Sequence, residues 1–186
     1  MKKVLLLVLA LGIVFWGCSE STSLIGPEKA EVQNSFLKVD YNNSTTLMKK
    51  KTVNSKLIDG KKGGKLKIDL KMGEVKAKGN LKFKKNSFSG PQNITVDLAF
   101  ADGEAALEFG PKDLDIDPAA LLTVKITGIH FVDEDTAENF GFFYLDEDSN
   151  RFEVVDYKKI IINKKHGWIK VVNAELTHFS RYGFAR

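Results

Sequence analysis

From Leu57 to the C-terminus the chain alternates apolar and polar residues in short runs punctuated by turn formers. Leu66, Ile68 and Leu70 alternate with Lys65, Lys67, Asp69 and Lys71. Ile94, Val96, Leu98 and Phe100 alternate with Thr95, Asp97 and Ala99, and Leu122, Val124 and Ile126 with Thr123, Lys125 and Thr127. Period two places one row of side chains in a core and the other in solvent, the pattern of half-buried antiparallel strands. Further runs over 140–145, 151–156, 159–163, 168–173 and 176–182 continue it, with hairpin turns expected at 146–150 and 164–167. Apart from a turn or two near Ala119 to Leu122, no helical stripe of period 3.6 interrupts the series. The pattern predicts an all-β fold, an antiparallel β-sandwich of short strands over residues 57–186.

The chain before this region reads differently. Residues 19–56 are polar and rich in Ser, Thr and Asn, and suggest a flexible tether within which Phe36, Leu37, Val39 and Tyr41 could form one strand. Ahead of them, Lys2 and Lys3 precede an uncharged apolar run from Val4 to Trp16. As a helix this run would rise roughly 20 Å, short of a hydrocarbon core about 30 Å thick, so it reads as the h-region of a secretory signal. Gly17 and Cys18 follow at once, and Cys18 is the only cysteine in the chain. Here the sequence resembles a bacterial lipoprotein precursor, although Phe15 and Trp16 replace the aliphatic and small residues usual there. The resemblance implies a signal peptide over 1–17, acylation of Cys18 and a protein tied to a membrane by lipid. Two or more acyl chains hold such an anchor stably. Ser19 in place of aspartate after the cysteine implies the outer membrane in preference to the inner.

Two further stretches carry a second resemblance. Gly63-Gly64-Lys65-Leu66, then Ser89-Gly90-Pro91 and Ile94-Thr95-Val96, is similar to the opening of the ZU-type domain, the β-sandwich of zonula occludens proteins, netrin receptors and ankyrins. Phe109-Gly110-Pro111 before Leu121-Leu122-Thr123-Val124 resembles that family's second half, and Leu176 to Tyr182 its closing strand. The chain departs from the family in its lysine-loaded first half and in Phe83-Lys84-Lys85, where a hydrophobic residue and proline are usual. The resemblance implies a non-catalytic binding or scaffold module and supplies no ligand, since function resides in sites rather than folds.

Composition narrows the chemistry. With one cysteine and three histidines in 186 residues there is no disulfide framework and no Cys-rich zinc module. No phosphate loop, nucleotide fingerprint or Ser-His-Asp order appears, and no cofactor is expected. One reaction can be drawn, at His178-Phe179-Ser180. Some animal relatives of the ZU-type domain cut themselves within such a sequence, which by analogy has Ser180 attack the Phe179 carbonyl with His178 as base, separating residues 180–186. The bland alternative is a strand on which Phe179 plugs the core while His178 and Ser180 bond a neighbour.

The formal charge of +4 hides a division. Between Lys49 and Lys85, 14 lysines face only Asp59, Asp69 and Glu74, whereas between Asp97 and Asp156, 16 carboxylates face Lys112, Lys125 and Arg151. Lysine without arginine suits phosphate or anionic headgroups better than base reading, so nucleic acid is not an expected partner. A solvated strand face accounts for the same alternation. Asp146, Asp148 and Asn150 have calcium-like spacing, but Arg151 stands where a calcium loop has glycine and Tyr157 where it has glutamate. Asp113, Asp115 and Asp117 would share one strand face without further ligands, and His130 and His166 lack metal-ligand spacing. Trp168 and Tyr144 could line a carbohydrate platform. The expectation is a membrane-anchored, non-enzymatic binding module with an envelope protein or surface polymer as possible partner, self-cleavage being the competing class.

Overall fold

A computed structural model describes residues 36–37, 53–99, 104–112, 114–132, 134–146, 149 and 151–186. The leader, Cys18 and residues 19–35 and 38–52 of the expected tether, Val39 and Tyr41 among them, lie outside these residues, whereas Asn54–Lys56 at its end open the first strand, Asn54–Asp59. Gly64–Met72 (β2) shows how the alternation works: Leu66, Ile68 and Leu70 are buried, and Lys67 and Asp69 between them are exposed. Val75–Phe83 (β3) folds back on it through a turn at Gly73, pairing Met72 with Val75 and Gly64 with Phe83. Ala120–Thr127 (β6), Lys159–Asn163 (β9) and Trp168–Leu176 (β10) complete one sheet in the order β2-β3-β6-β10-β9.

The second sheet holds Asn54–Asp59 (β1), Pro91–Leu98 (β4), Ala106–Gly110 (β5), Arg181–Ala185 (β11), Gly141–Asp146 (β7) and Arg151–Val154 (β8), in that spatial order. All pairings in both sheets are antiparallel. Leu70, Leu81, Val124 and Val171 from one sheet and Ile94, Leu107, Phe142 and Phe184 from the other fill a single core between them. The protein is therefore an all-β sandwich, as the alternation predicts, and its core is lined by the inward rows of both sheets.

Several expectations need correction. Leu176 to Tyr182 is not one strand: β10 ends at Leu176 in the five-stranded sheet and β11 begins at Arg181 in the other. His178–Ser180 is the corner where the chain changes layer, which period-two hydrophobicity cannot distinguish from a straight strand. Ala119 to Leu122 carries no helix, because β6 starts at Ala120, and the short helical pieces are 3-10 turns at Ala137–Asn139 and Lys164–His166. Asp115 and Asp117 lie in the connection between β5 and β6 rather than on a strand face, and Asp113 lies outside the described residues.

Phe36 and Leu37, read from sequence as part of a tether, belong to the sandwich. Leu37 N donates to Phe184 O at 2.5 Å, and Ala105 N donates to Leu37 O at 2.7 Å, so the segment is bonded to β11 and to the residue preceding β5. Phe36, 1% exposed, covers Ala106, Phe143 and Ala185 on the outer face of the six-stranded sheet and meets the Phe152 ring edge-on at 4.6 Å. Gly183 makes room for it, since a Cβ there would come within 2.7 Å of the Phe36 ring. The two outer faces therefore differ: one is partly roofed by an apolar cluster, the other is a field of charge.

Candidate functional site: a lysine-covered sheet face

The residues of β2, β3 and β6 that point away from the core are set by the register. Lys65 lies opposite Lys82, Lys71 opposite Lys76, and Lys78 opposite Lys125. Lys125 in turn lies opposite Lys170 of β10. Lys67 and Lys159 complete nine outward lysines on this sheet, and the outward carboxylates on its strands are Asp69 and Glu175. Asp69 meets Lys78 at 3.8 Å, and Lys125 stands over the Trp168 ring at 5.4 Å. Like charges directly opposite one another on a sheet are unfavourable, each such pair by a few tenths of a kcal/mol up to about 1 kcal/mol. Exposed ammonium groups relieve part of this by splaying into water while their stems cover the sheet. What remains is a concentrated positive field on one sheet face, seven of whose lysines lie on β2, β3 and β6.

At one end of the same face β10 is irregular. Its register with β6 shifts between Val171 and Ala174, and Asn173 takes φ 52°, a left-handed conformation uncommon outside glycine. Asn173 N donates to Thr123 Oγ1 at 3.1 Å, and the Thr123 hydroxyl donates to Asn173 Oδ1 at 3.2 Å. The connection Asp156–Lys158 crosses here, with Lys158 N bonded to Val172 O and Glu175 N to Asp156 O. Leu121, Asp156, Tyr157, Lys158, Asn173 and Glu175 line an open recess of about 330 Å³. An asparagine in a strand is the one local sign of this recess, because a bulge is a property of the pairing.

The His178–Ser180 corner is organised around tyrosines. Tyr182 OH donates to His178 O at 2.7 Å, four residues upstream, which is the tyrosine-corner device of Greek-key sandwiches. The His178 ring stands edge-on to Tyr144 at 4.5 Å, and its Nδ1 lies 3.2 Å from Thr177 Oγ1. Ser180 Oγ donates to Leu145 O at 2.6 Å. Phe179 is buried and stacks on Phe109 at 5.8 Å. His178 and Ser180 thus bond different partners, and the serine hydroxyl is committed to β7. Residues 181–185, which a cut after Phe179 would detach, form β11 between β5 and β7, with Tyr182 and Phe184 in the core. Burial first, then the hydrogen bond to Glu153 at 2.6 Å and the charges of Glu153 and Asp146, push the Tyr144 hydroxyl up to about 12. Burial, with a smaller contribution from Tyr144, pushes Tyr182 up further still.

Among the described residues the other candidates do not assemble. Asp148 and Asn150 lie outside the described residues, Asp146 accepts from Ser149 Oγ, and no group of three metal-ligating side chains forms among the described residues. His130 and His166 are exposed at separate positions, and among the described residues every Phe, Tyr and Trp is buried or half-buried. Sequence reasoning also missed the pairing of Arg186 with buried Asp135 at 2.8 Å, whose carboxylate also accepts from Val132 N. No helix among the described residues is long and apolar enough to cross a membrane. No protein-family model, curated protein or solved structure matches the chain.

Proposed function

We propose that the protein is a bacterial envelope lipoprotein. It is held at a membrane, the outer in preference to the inner, through acylated Cys18, and it displays a ZU-type sandwich that binds rather than catalyses. The observation that carries the binding role is the lysine face: like-charged pairs across three adjacent strand pairs of one sheet reduce stability without serving the core. A partner of opposite charge compensates them. The contacts at His178 and Ser180 support the non-catalytic part, since each is accounted for by the corner it holds.

The test has two arms. Intact mass of the protein recovered with detergent from a bacterial host should lack residues 1–17, carry acyl mass and end at Arg186. A Cys18→Ser chain should leave the membrane fraction. An unlipidated mass would overturn the anchor, and a mass lacking residues 180–186 would overturn the non-catalytic reading.

The recess beside Asn173 favours a second reading, a subsite for a surface carbohydrate. Tyr157 offers a ring face and Asp156, Asn173 and Glu175 offer hydrogen bonds to hydroxyls. Tyr157→Ala should abolish retention on envelope polysaccharide if that reading holds, and unchanged retention would remove it.

A further inference from the structure

We infer that the lysine face of the five-stranded sheet is a docking surface for an anionic phospholipid bilayer, with the sandwich lying on its side against lipid phosphates. The inference rests on the reading that the chain is held at a membrane, and names what its binding face meets there.

Geometry argues for a surface rather than a pocket-bound ligand. β2 and β3 are nine residues each, about 30 Å long, and three neighbouring strands place their outward side chains within a band about 10 Å wide between strand axes. Sheet twist of about 20–25° per strand accumulates across the sheet, so β10 and β9 turn furthest from β2, and β2, β3 and β6 are the part nearest to a common plane. Those three strands carry seven of the nine outward lysines, against Asp69 alone. The Lys65–Lys82 register sets two lysines opposite each other across the sheet, and a continuous anionic surface neutralises such neighbours at several points together.

Chemistry selects the surface. The face has lysines and no arginine, so it offers point charges for phosphates rather than bidentate forks for carboxylates or base edges. Its one tryptophan, Trp168, lies under Lys125 instead of standing free to stack. The opposite layer is unsuited to the same role, since Phe36 and its apolar cluster occupy its outer face. Eighteen residues of chain from Cys18 to Phe36 reach at most about 60 Å, more than the thickness of two sheets about 10 Å apart with their side chains. An anchored chain therefore meets the bilayer at an effective concentration on the order of millimolar, where weak electrostatic contacts suffice.

The test uses an unlipidated chain from Ser19 to Arg186, which retains Phe36 and the whole sandwich, so acylation at Cys18 plays no part in the outcome. Its sedimentation with vesicles of phosphatidylcholine alone is compared with vesicles containing phosphatidylglycerol, at about 0.1 M salt, where screening acts over about 10 Å. Binding is expected only to the anionic vesicles and should weaken steeply with added salt. Each face lysine removed should lower the partition coefficient about fivefold, which is about 1 kcal/mol, so Lys65→Gln with Lys67→Gln and Lys76→Gln should lower it about a hundredfold. A control triple in turns, Lys61→Gln with Lys84→Gln and Lys85→Gln, removes the same charge and should lose far less. All six positions are exposed, and a Trp168 fluorescence melt checks that both triples fold. Equal binding to neutral vesicles, equal losses in the two triples, no binding to either vesicle, or displacement by inorganic phosphate at constant ionic strength would each overturn the inference.

Discussion

Replacing Phe36 with alanine tests whether the residue ahead of the first strand is part of the sandwich. The ring is 1% exposed and sits against Phe152, Phe143, Ala106 and Ala185. Loss of a buried phenylalanine costs about 3–5 kcal/mol when the surroundings cannot relax. An upper bound comes from letting the segment leave altogether. Burial of Phe36 and Leu37 contributes about 1.5–3 kcal/mol each, and their two main-chain hydrogen bonds add about 1 kcal/mol each. Ordering two backbone residues removes about 1–2 kcal/mol each. The remainder, about 3–4 kcal/mol, agrees with the cavity figure. Phe36→Ala should therefore lower the unfolding free energy by about 3–4 kcal/mol and Tm by about 10–15 °C. In the chain from Ser19, Trp168 is the only tryptophan, so urea unfolding followed by its fluorescence reports on the sandwich. Gly183→Ala puts a Cβ 2.7 Å from the Phe36 ring and 2.9 Å from Ala105 O, and should cost a similar amount through the same contact. The two substitutions together should then cost little more than either alone. An unchanged midpoint for Phe36→Ala, or full additivity of the pair, would refute the assignment of this segment to the fold.

Arg186→Ala leaves the buried Asp135 carboxylate with Val132 N as its partner; because Arg186 is 40% exposed, a loss of about 1–2 kcal/mol is expected in urea unfolding. Tyr144 titrates above its unfolded value of 10.0, so the stability it contributes is complete below pH 10 and is lost as pH rises to about 12, and Tyr182 acts with the same sign. Tyr182→Phe should flatten that alkaline loss and cost about 1 kcal/mol at neutral pH through the bond to His178 O, as read by unfolding at several pH values. Ser180→Ala should lower stability by about 1 kcal/mol and leave the C-terminal mass unchanged from the parent chain; a parent that loses its last seven residues while Ser180→Ala keeps them would reverse the reading of this corner.

The strands were legible where one face is buried and the other wet. Leu66, Ile68 and Leu70 announce β2 because Lys67 and Asp69 separate them, and Leu122, Val124 and Ile126 announce β6 because Thr123 and Lys125 do. β3 was harder to see, since Ala77 and Gly79 supply little hydrophobicity of their own and are positioned by pairing with β2 and β6. Phe36 was obscured by polar neighbours in sequence, because its partners Phe143 and Phe152 lie more than a hundred residues away. The basic stretch was plain in the sequence, but its concentration on one face depends on register, which opposes Lys65 to Lys82 and Lys78 to Lys125. The chemical reading of His178-Phe179-Ser180 rests on the three side chains and on analogy with ZU-type relatives, neither of which carries the geometry of the corner. The hydroxyl's partner, Leu145 O, is a backbone atom of another strand and leaves no trace in local sequence.

The most direct test of the account is the intact mass of the full-length protein expressed in a bacterial host and extracted from membranes. The account predicts a chain that begins at Cys18, carries acyl groups there and ends at Arg186. A chain of unmodified mass, or one that begins elsewhere and fractionates away from the membrane, would contradict it.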